Sequence, residues 1–296
     1  TTYPVPIAEA KTNNYNPIYT NDLDQSSNEQ IISLAFKFHS EGNIPEAIKY
    51  YQHCLNKGCN NPTVFSNYAV ILQSLGKLKE AETSTRKAIE LQPDLEMAHI
   101  NLGNILKDLG KLKDAELSTR KALELNSNSV EAHFNLGNIL KSLGNLKEAE
   151  ISLHKAIELN PHFAMAYNAL GTILKSLGNL KNAEIYTRKA IEIKPAYAKA
   201  YSNLGNILKD LGQLKEAELS TRKAIELKPD FAEAHSNLGN ILKDLGKLKE
   251  AEFAYRKAIE LKPDFAETHY NLGNILRDLG KLKEAELFTR KAIQLN

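Results

Sequence analysis

Residues 232–265 read AEAHSNLGNILKDLGKLKEAEFAYRKAIELKPDF, and this stretch decides the fold. Its first half carries apolar residues at helical spacing, at Leu238, Ile241, Leu242 and Leu245. Gly246 follows them and suits the left-handed conformation that ends many helices. A second helical pattern runs as far as Leu261, and Pro263 stops it because proline lacks the N–H that a helix needs. The stretch therefore predicts two helices joined by a short turn.

Eight glycines repeat this arrangement at intervals of 34 residues, at Gly42, Gly76, Gly110, Gly144, Gly178, Gly212, Gly246 and Gly280. The chain of 296 residues then divides into a leader (residues 1–27) and eight units (residues 28–296). The units begin at Asn28, Pro62, Glu96, Val130, Ala164, Ala198, Ala232 and Ala266. A second column of small residues, represented by Gly239, predicts that the paired helices approach closely, since glycine otherwise costs a helix about 1 kcal/mol. We predict an all-α solenoid of antiparallel helix pairs in place of one or two globular domains.

Composition excludes several classes of protein. Hydrophobic residues make up 42% of the chain and charged residues 25%, which is typical of a folded protein, and no run approaches the roughly 18 apolar residues of a membrane span. A net charge of +2 gives no long-range attraction for nucleic acid or an anionic membrane. Two cysteines are too few for a secreted disulfide scaffold, and no secretory signal opens the chain. We therefore expect a cytoplasmic protein without nucleic-acid or membrane partners.

No catalytic, metal or cofactor site is predicted. The histidines at one repeated position, His99, His133, His235 and His269, belong to different units, so we expect them to be spaced along the solenoid and to pack in or near the core. Cys54 and Cys59 are interpreted as small buried thiols, because no activating neighbours accompany them. Almost every glycine belongs to a repeat column, which leaves no phosphate-binding loop. The expectation is a protein that is not an enzyme.

The units resemble the tetratricopeptide repeat, whose pattern of 34 residues runs W-x2-L-G-x2-Y, then A-x3-F, then P. In the quoted unit the residues that carry the resemblance are Asn-Leu-Gly-Asn at 237–240, Leu242, Ala251, Ala258 and Pro263. The resemblance extends over residues 28–296 and departs mildly from the family, since threonine often replaces the second aromatic residue, as at Thr221. It implies a right-handed superhelical solenoid whose concave face is lined by the first helix of each pair.

Two columns of asparagine are predicted to face this concave groove. If each unit is numbered from its first residue, positions 2, 6, 9 and 13 share one face of the first helix. Position 6 carries Asn67, Asn101, Asn135, Asn203, Asn237 and Asn271, and position 9 carries Asn104, Asn138, Asn206, Asn240 and Asn274. Position 12 flanks them with Lys107, Lys141, Lys175, Lys209, Lys243 and Arg277. An amide both donates and accepts hydrogen bonds, so these columns favour binding of the main chain of an extended peptide.

Three functions remain open at this point. The first is a protein–protein interaction scaffold that binds extended peptides, although duplication of units can also leave columns of asparagine without a function. The position 6 column is similar to that of the tetratricopeptide domains of O-linked N-acetylglucosamine transferases, which implies the second function, a substrate-presenting domain of a larger enzyme. The third is end-to-end self-association. Ala169 and Thr172 interrupt both columns and can divide the groove into two sites.

The two ends of the chain carry further expectations. The leader, residues 1–27, has three tyrosines, Tyr3, Tyr15 and Tyr19, and no helical period, so we expect it to be an extended segment that occupies a solenoid surface in cis or in trans. At the other end no solvating helix follows the last unit. Leu272, Ile275, Leu276 and Ile293 are therefore expected to face a missing neighbour, either in a longer protein or at a docking surface.

Overall fold

The computed structural model describes residues 27–295, which contain sixteen α-helices and no strand. The chain divides into two compact sections, an N-terminal section that ends at Leu143 and a C-terminal section that begins at Gly144. The N-terminal section contains α1 (Asn28–Ser40), α2 (Ile44–Asn56), α3 (Pro62–Ser74), α4 (Leu78–Leu91), α5 (Glu96–Asp108), α6 (Leu112–Leu125) and α7 (Val130–Ser142). The C-terminal section contains α8 (Leu146–Leu159), α9 (Ala164–Ser176), α10 (Leu180–Ile193), α11 (Ala198–Asp210), α12 (Leu214–Leu227), α13 (Ala232–Asp244), α14 (Leu248–Leu261), α15 (Ala266–Asp278) and α16 (Leu282–Leu295).

The order of packing within each section confirms the predicted all-α fold of tandem helix pairs. The odd-numbered helices, or first helices, begin at the residues that open the eight units. Within each section a first helix packs against the second helix of its own unit, and that second helix packs against the next first helix. Successive first helices also touch one another, as α3 and α5 do. Each section therefore has a first-helix face and a second-helix face. The proposal for the leader concerns residues 1–27, of which residues 1–26 lie outside the described range.

The glycine at position 15 ends each first helix in the predicted conformation. All eight of these glycines have positive φ angles, between 73° and 81°. At Gly212 the glycine N–H donates to the carbonyl of Lys209 at 2.9 Å, and the Gln213 N–H donates to the carbonyl of Leu208 at 2.9 Å. These two bonds satisfy carbonyls that the helix itself leaves open. Pro45 stands in the first turn of α2, where its missing N–H leaves no helical bond unmade.

The small residue at position 8 allows the two helices of a pair to come into contact. A Cβ atom placed on Gly205 would lie 2.1 Å from Thr221 Oγ1 and 3.2 Å from the carbonyl oxygen of Ala217, both on the second helix. In the quoted unit a Cβ on Gly239 would lie 2.5 Å from the ring of Tyr255. The predicted close approach of the paired helices is confirmed, and the closest contact is with the residue at position 24 of the second helix.

Replacing Gly205 by alanine tests this contact. We expect Gly205→Ala to lower the free energy of unfolding by about 1–3 kcal/mol, the usual cost of overpacking. Thr221→Ala in the same chain removes the obstructing oxygen, so the double variant should recover part of the loss, although it also loses the hydrogen bond from Thr221 Oγ1 to Ala217 O (2.9 Å). Urea denaturation of the two single variants and the double variant measures the coupling. Strictly additive losses would contradict a direct contact.

An acidic residue at position 21 links the second helices of neighbouring units. Glu218 accepts from Arg222 of its own helix at 2.8 Å and from Lys247 of the next unit at 2.9 Å, and only 13% of its side chain is exposed. Glu82 and Glu252 are placed in the same way. The hydrogen bond from Lys247 holds the pKa of Glu218 below its ordinary value, although burial opposes it. The sequence indicates the pairing within one helix, but it does not show the lysine from the next unit.

The lowered pKa of Glu218 fixes the sign of a pH effect. A carboxyl group whose pKa is lower in the folded state contributes stability above its unfolded pKa of about 4.3, and this contribution is lost as the pH falls through the folded pKa. Glu218→Gln should therefore reduce the loss of stability between about pH 5 and pH 3. The matched control is Glu226→Gln, which removes an exposed carboxylate paired only within its own helix. Thermal unfolding between about pH 5 and pH 3 compares the stability of the two variants. Identical pH profiles would exclude the hydrogen bond from Lys247 to Glu218 as the cause of the stability loss.

The last unit corrects one prediction. Leu272, Ile275 and Leu276 were expected to face a missing neighbour, but they are fully buried in a cluster with residues of α14 and α16. The prediction was wrong because these positions of a first helix pack inside their own pair and against the preceding unit. Ile293 is exposed as expected, since its counterparts in earlier units pack against the first helix that follows. None of the sixteen helices has the length and apolar character needed to cross a lipid bilayer.

Candidate functional site

The asparagines at position 6 lie on the first helices and are buried or half-buried. Their side chains connect consecutive first helices. Asn101 Nδ2 donates to Ser66 Oγ at 2.9 Å, and Asn237 Nδ2 donates to Ser202 Oγ at 2.9 Å. In both cases the acceptor stands at position 5 of the preceding unit, 35 residues earlier in the chain. One donor of each amide is therefore already used inside the protein.

The remaining position 6 asparagines show that the hydrogen bond between first helices depends on which acceptor the neighbouring helix offers. Asn271 Nδ2 donates to Asn240 Oδ1 at 3.2 Å, where the hydroxyl of Tyr255 also donates at 2.7 Å. Asn67 is hydrogen bonded to the hydroxyl of Tyr51. Asn135 has Ile100 at the corresponding position of the preceding unit, and this side chain offers no acceptor. The column is thus a set of connections between helices wherever a polar partner is available.

The asparagines at position 9 have a different environment. Asn104, Asn206 and Asn274 are half-buried and make no side-chain hydrogen bond to any other residue in the range 27–295. Asn138 Nδ2 donates to the carbonyl of its own helix at Phe134 at 3.1 Å, and Asn240 accepts the two bonds described above. Position 9 therefore supplies the amides that are open to a ligand.

The interruption of the columns also has a structural explanation. Ala169 is buried, and Thr172 Oγ1 donates to the carbonyl of Ala169 at 2.7 Å. Asn168, at position 5, accepts from Nδ2 of Asn203 at 2.8 Å. Its amide thus takes the place of the serine acceptors of other units. The connection between first helices is kept here, while the open amide at position 9 is lost.

The lysines at position 12 form an edge of mixed charge with neighbouring aspartates. Lys175 Nζ lies 3.0 Å from an Oδ atom of Asp210, and Lys209 Nζ lies 3.5 Å from Asp210 and 3.9 Å from Asp244. Lys107 pairs at 3.7 Å with the adjacent Asp108. Lys141 and Lys243 are exposed at the same position. These ion pairs reduce the preference of the face for a ligand of either charge.

The repeated histidines have a local structural role. Nε2 of His99 lies 2.8 Å from the carbonyl oxygen of Pro93, and the histidines at 133, 235 and 269 make the same contact with the carbonyls at 127, 229 and 263. Each ring thus ties a first helix to the loop that precedes it. Within the described residues, no group of three or more His, Cys, Asp or Glu side chains is placed to hold a metal ion.

The two cysteines are buried, as interpreted from the sequence. Cys59 N–H donates to the carbonyl of Cys54 at 3.1 Å, across the turn formed by Gly58. Burial, together with the neighbouring thiol of Cys59, raises the pKa of Cys54 to about 12. A thiol in this state is a poor nucleophile, because the thiolate is the reactive form.

Family models match individual repeats of this chain. Models described as "TPR repeat" match residues 103–144, 205–246 and 239–280. Models described as "Tetratricopeptide repeat" match residues 62–95, 130–163, 164–197, 186–218 and 266–296. Together the matches run from residue 62 to residue 296, with a gap only at 96–102. The chain is a tetratricopeptide repeat protein. This family assignment supports a role in protein–protein interaction.

The chain is similar to two solved structures, of which the first has the same kind of fold. The crystal structure of the APC/C hetero-tetramer Cut9-Hcn1 matches with a TM-score of 0.72 at 16% identity, over 94% of this chain and 54% of that chain. This chain therefore spans about half the length of that relative, and the likeness concerns the fold alone. The crystal structure of YrrB, described as a TPR protein with an unusual peptide-binding site, matches with a TM-score of 0.47 at 29% identity, over 62% of this chain and 95% of that chain. No curated protein sequence gives a significant match.

Sequence reasoning missed the position 5 partners Ser66, Asn168 and Ser202. A usable signal was present, because a polar residue at position 5 precedes an asparagine at position 6 by 35 residues in each case. Recognising this signal requires knowing which positions of consecutive first helices come into contact. The repeat length alone does not give this information.

The bond between Asn237 and Ser202 can be measured by a double-mutant cycle. We expect Asn237→Ala and Ser202→Ala each to destabilise the protein and the pair to show a coupling of about 1 kcal/mol, the usual net contribution of such a bond. Asn206→Ala is the matched control, since Asn206 lies on the same helix as Ser202 without a hydrogen-bond partner among the described residues. Zero coupling between Asn237 and Ser202 would show that the position 6 amide does not connect the units.

Proposed function

We propose that this tetratricopeptide repeat protein is a non-catalytic scaffold that binds extended peptide segments along its first-helix faces. The observation that carries the proposal is the row of half-buried, unpartnered amides at position 9, at Asn104, Asn206 and Asn274. A half-buried amide without a partner gains a full hydrogen bond when a ligand arrives, and this bond is stronger away from bulk water.

The spacing of the first helices suits a ligand in the extended conformation. Packed helices lie about 8–10 Å apart, and an extended chain advances about 3.3 Å per residue. Each unit therefore meets roughly three residues of a peptide, so an open amide can reach a main-chain N–H or C=O group of the ligand. Because the amides address the main chain, we expect binding to tolerate many peptide sequences.

The two asparagine columns then have separate tasks. The position 6 amides Asn101, Asn203 and Asn237 fix the stacking of the first helices, and the position 9 amides contact the ligand. Lys107 and Lys141 flank the face of the N-terminal section, and Lys209 and Lys243 flank that of the C-terminal section. Asn67, Asn135 and Asn271 complete the face as polar neighbours. The resemblance to O-linked N-acetylglucosamine transferases supports recognition of main-chain groups, and residues 1–27 remain a candidate ligand in cis or in trans.

Binding to peptides tests the proposal directly. We expect the full chain to capture members of an array of unrelated peptides of about 15 residues, and the triple variant Asn104→Ala, Asn206→Ala, Asn274→Ala to bind them about tenfold more weakly at unchanged stability, since each lost bond contributes about 0.5–1.5 kcal/mol. Peptides with N-methylated main chains should bind poorly to either protein. A synthetic peptide of residues 1–27 belongs in the same array.

The matched control separates binding from folding. Asn203→Ala with Asn237→Ala removes as many amides from the C-terminal section but breaks connections between helices, so its main effect should be lower stability. If the position 9 triple variant binds as well as the parent chain, or if N-methylated peptides bind equally well, the asparagine columns are a remnant of duplication and the proposal fails.

A further inference from the structure

The second-helix face carries a column of exposed apolar side chains that neither the fold nor the peptide-binding proposal explains. Position 22 holds a large apolar residue in six consecutive units, at Leu117, Ile151, Ile185, Leu219, Phe253 and Leu287. Each of these side chains is 62–75% exposed. Five of the six lie in the C-terminal section. Exposed apolar residues at one repeated position of a stacked array indicate an interaction surface, whereas isolated ones would need no explanation.

A column of unpaired lysines stands beside the apolar column. Position 18, one helical turn before position 22, carries Lys79, Lys113, Lys147, Lys181, Lys215, Lys249 and Lys283. All seven are exposed, and none forms an ion pair or a side-chain hydrogen bond within residues 27–295. Each of the last six units therefore presents one lysine without an ion pair next to one exposed apolar side chain.

The acidic residues of α12 and α14 are paired with lysine or arginine. On α12, Glu218 is bound by Arg222 and Lys247, and Glu226 is bound by Lys223 at 2.6 Å. Glu250, at the start of α14, accepts from Arg222 at 3.2 Å. On α12 and α14 the side-chain charges without a counter-ion are therefore positive, whereas α6 also carries Asp114, which has no ion pair among the described residues. These inter-unit ion pairs also hold neighbouring second helices side by side.

Recesses lie between neighbouring second helices, beside the apolar side chains of position 22. One recess of about 600 Å³ lies between α12 and α14 above α13, lined by Ile225, Leu238, Leu242 and Phe253, with Arg222 and Lys249 at its edge. The N-terminal section has a recess of about 470 Å³ at the same repeat positions, where Ile89, Leu102 and Leu117 stand. The recess is thus a property of the stacked units, and its walls suit a large apolar side chain.

We propose that the second-helix face is a docking surface for an acidic polypeptide segment. Large apolar side chains of the partner enter the recesses beside position 22, and its carboxylates pair with the position 18 lysines. Charge complementarity carries the choice of partner, because the position 18 lysines are the unpaired charges of α12 and α14. An anionic lipid bilayer fits less well, since a flat bilayer does not fill separate recesses between the helices. The proposal uses no residue of the first-helix face and is independent of the proposed function.

The test uses the full chain and a fluorescently labelled peptide of about 20 residues in which glutamate alternates with leucine and phenylalanine. We expect binding that weakens with salt, and about tenfold or weaker binding for Leu219→Ser with Phe253→Ser, which removes two apolar contacts. Both side chains are exposed, so thermal unfolding should be unchanged and the loss can be assigned to binding.

Lysine variants test the charge requirement with a close control. Lys215→Gln with Lys249→Gln should weaken binding about tenfold and reduce its salt dependence. The control, Lys223→Gln with Lys257→Gln, makes the same change in net charge on the same two helices but removes lysines already paired with glutamates. It should stay within about twofold of the parent. A peptide with lysine in place of glutamate should not bind.

Several outcomes would overturn the proposal. One is failure of the acidic peptide to bind at about 100 μM, and another is equal losses in the two lysine double variants. Retention by vesicles containing about 30% phosphatidylserine, abolished by Leu219→Ser with Phe253→Ser, would assign the face to lipid. Concentration-dependent sedimentation of the parent chain, abolished by the same variant, would assign it to a second copy.

Discussion

The structure depends on the contact between the small residue at position 8 of each first helix and the residue at position 24 of its partner. Gly205 leaves no room for a Cβ atom against Thr221, so the two backbones approach as closely as helices can. This distance fixes the thickness of a unit and places the apolar side chains around Leu204 and Leu208 in the core. The polar and apolar contacts between units therefore depend on how closely the two helices of each unit approach one another.

Because the distance between the two helices of a unit is fixed, stacking brings different repeat positions of consecutive units into contact. On the first-helix face, position 6 meets position 5 of the unit before, as Asn237 meets Ser202. On the second-helix face, position 21 meets position 16 of the unit after, as Glu218 meets Lys247. One geometric offset therefore produces two ladders of polar contacts on opposite sides of the array. Repeated contacts of this kind suit a protein whose stability is a sum over neighbouring units.

The sequence predicted what depends on residues close together in the chain. Helical spacing, the left-handed glycine at Gly246 and the close approach at Gly239 all follow from one unit taken alone, and the structure confirms them. The site was predicted only in part, because the bond from Asn101 to Ser66 joins two units through the stacking offset. The burial of Leu272 was mispredicted for a related reason, since the last unit completes its core with the unit before it. Repeat length alone does not determine which side of a unit each apolar position meets.

The unit that begins at Ala164 interrupts both asparagine columns but keeps the connection between first helices. In the unit that begins at Ala164, the asparagine has moved from position 6 to position 5, at Asn168, and still accepts from Asn203. The same unit carries Thr172 at position 9, so it offers no open amide on the first-helix face. The connection between first helices therefore survives here without an amide at position 9, although in another unit Asn240 accepts a bond from Asn271 of the next first helix. Stacking leaves three position 9 amides without a partner among the described residues, at Asn104, Asn206 and Asn274. The proposal of an extended peptide ligand accounts for these three.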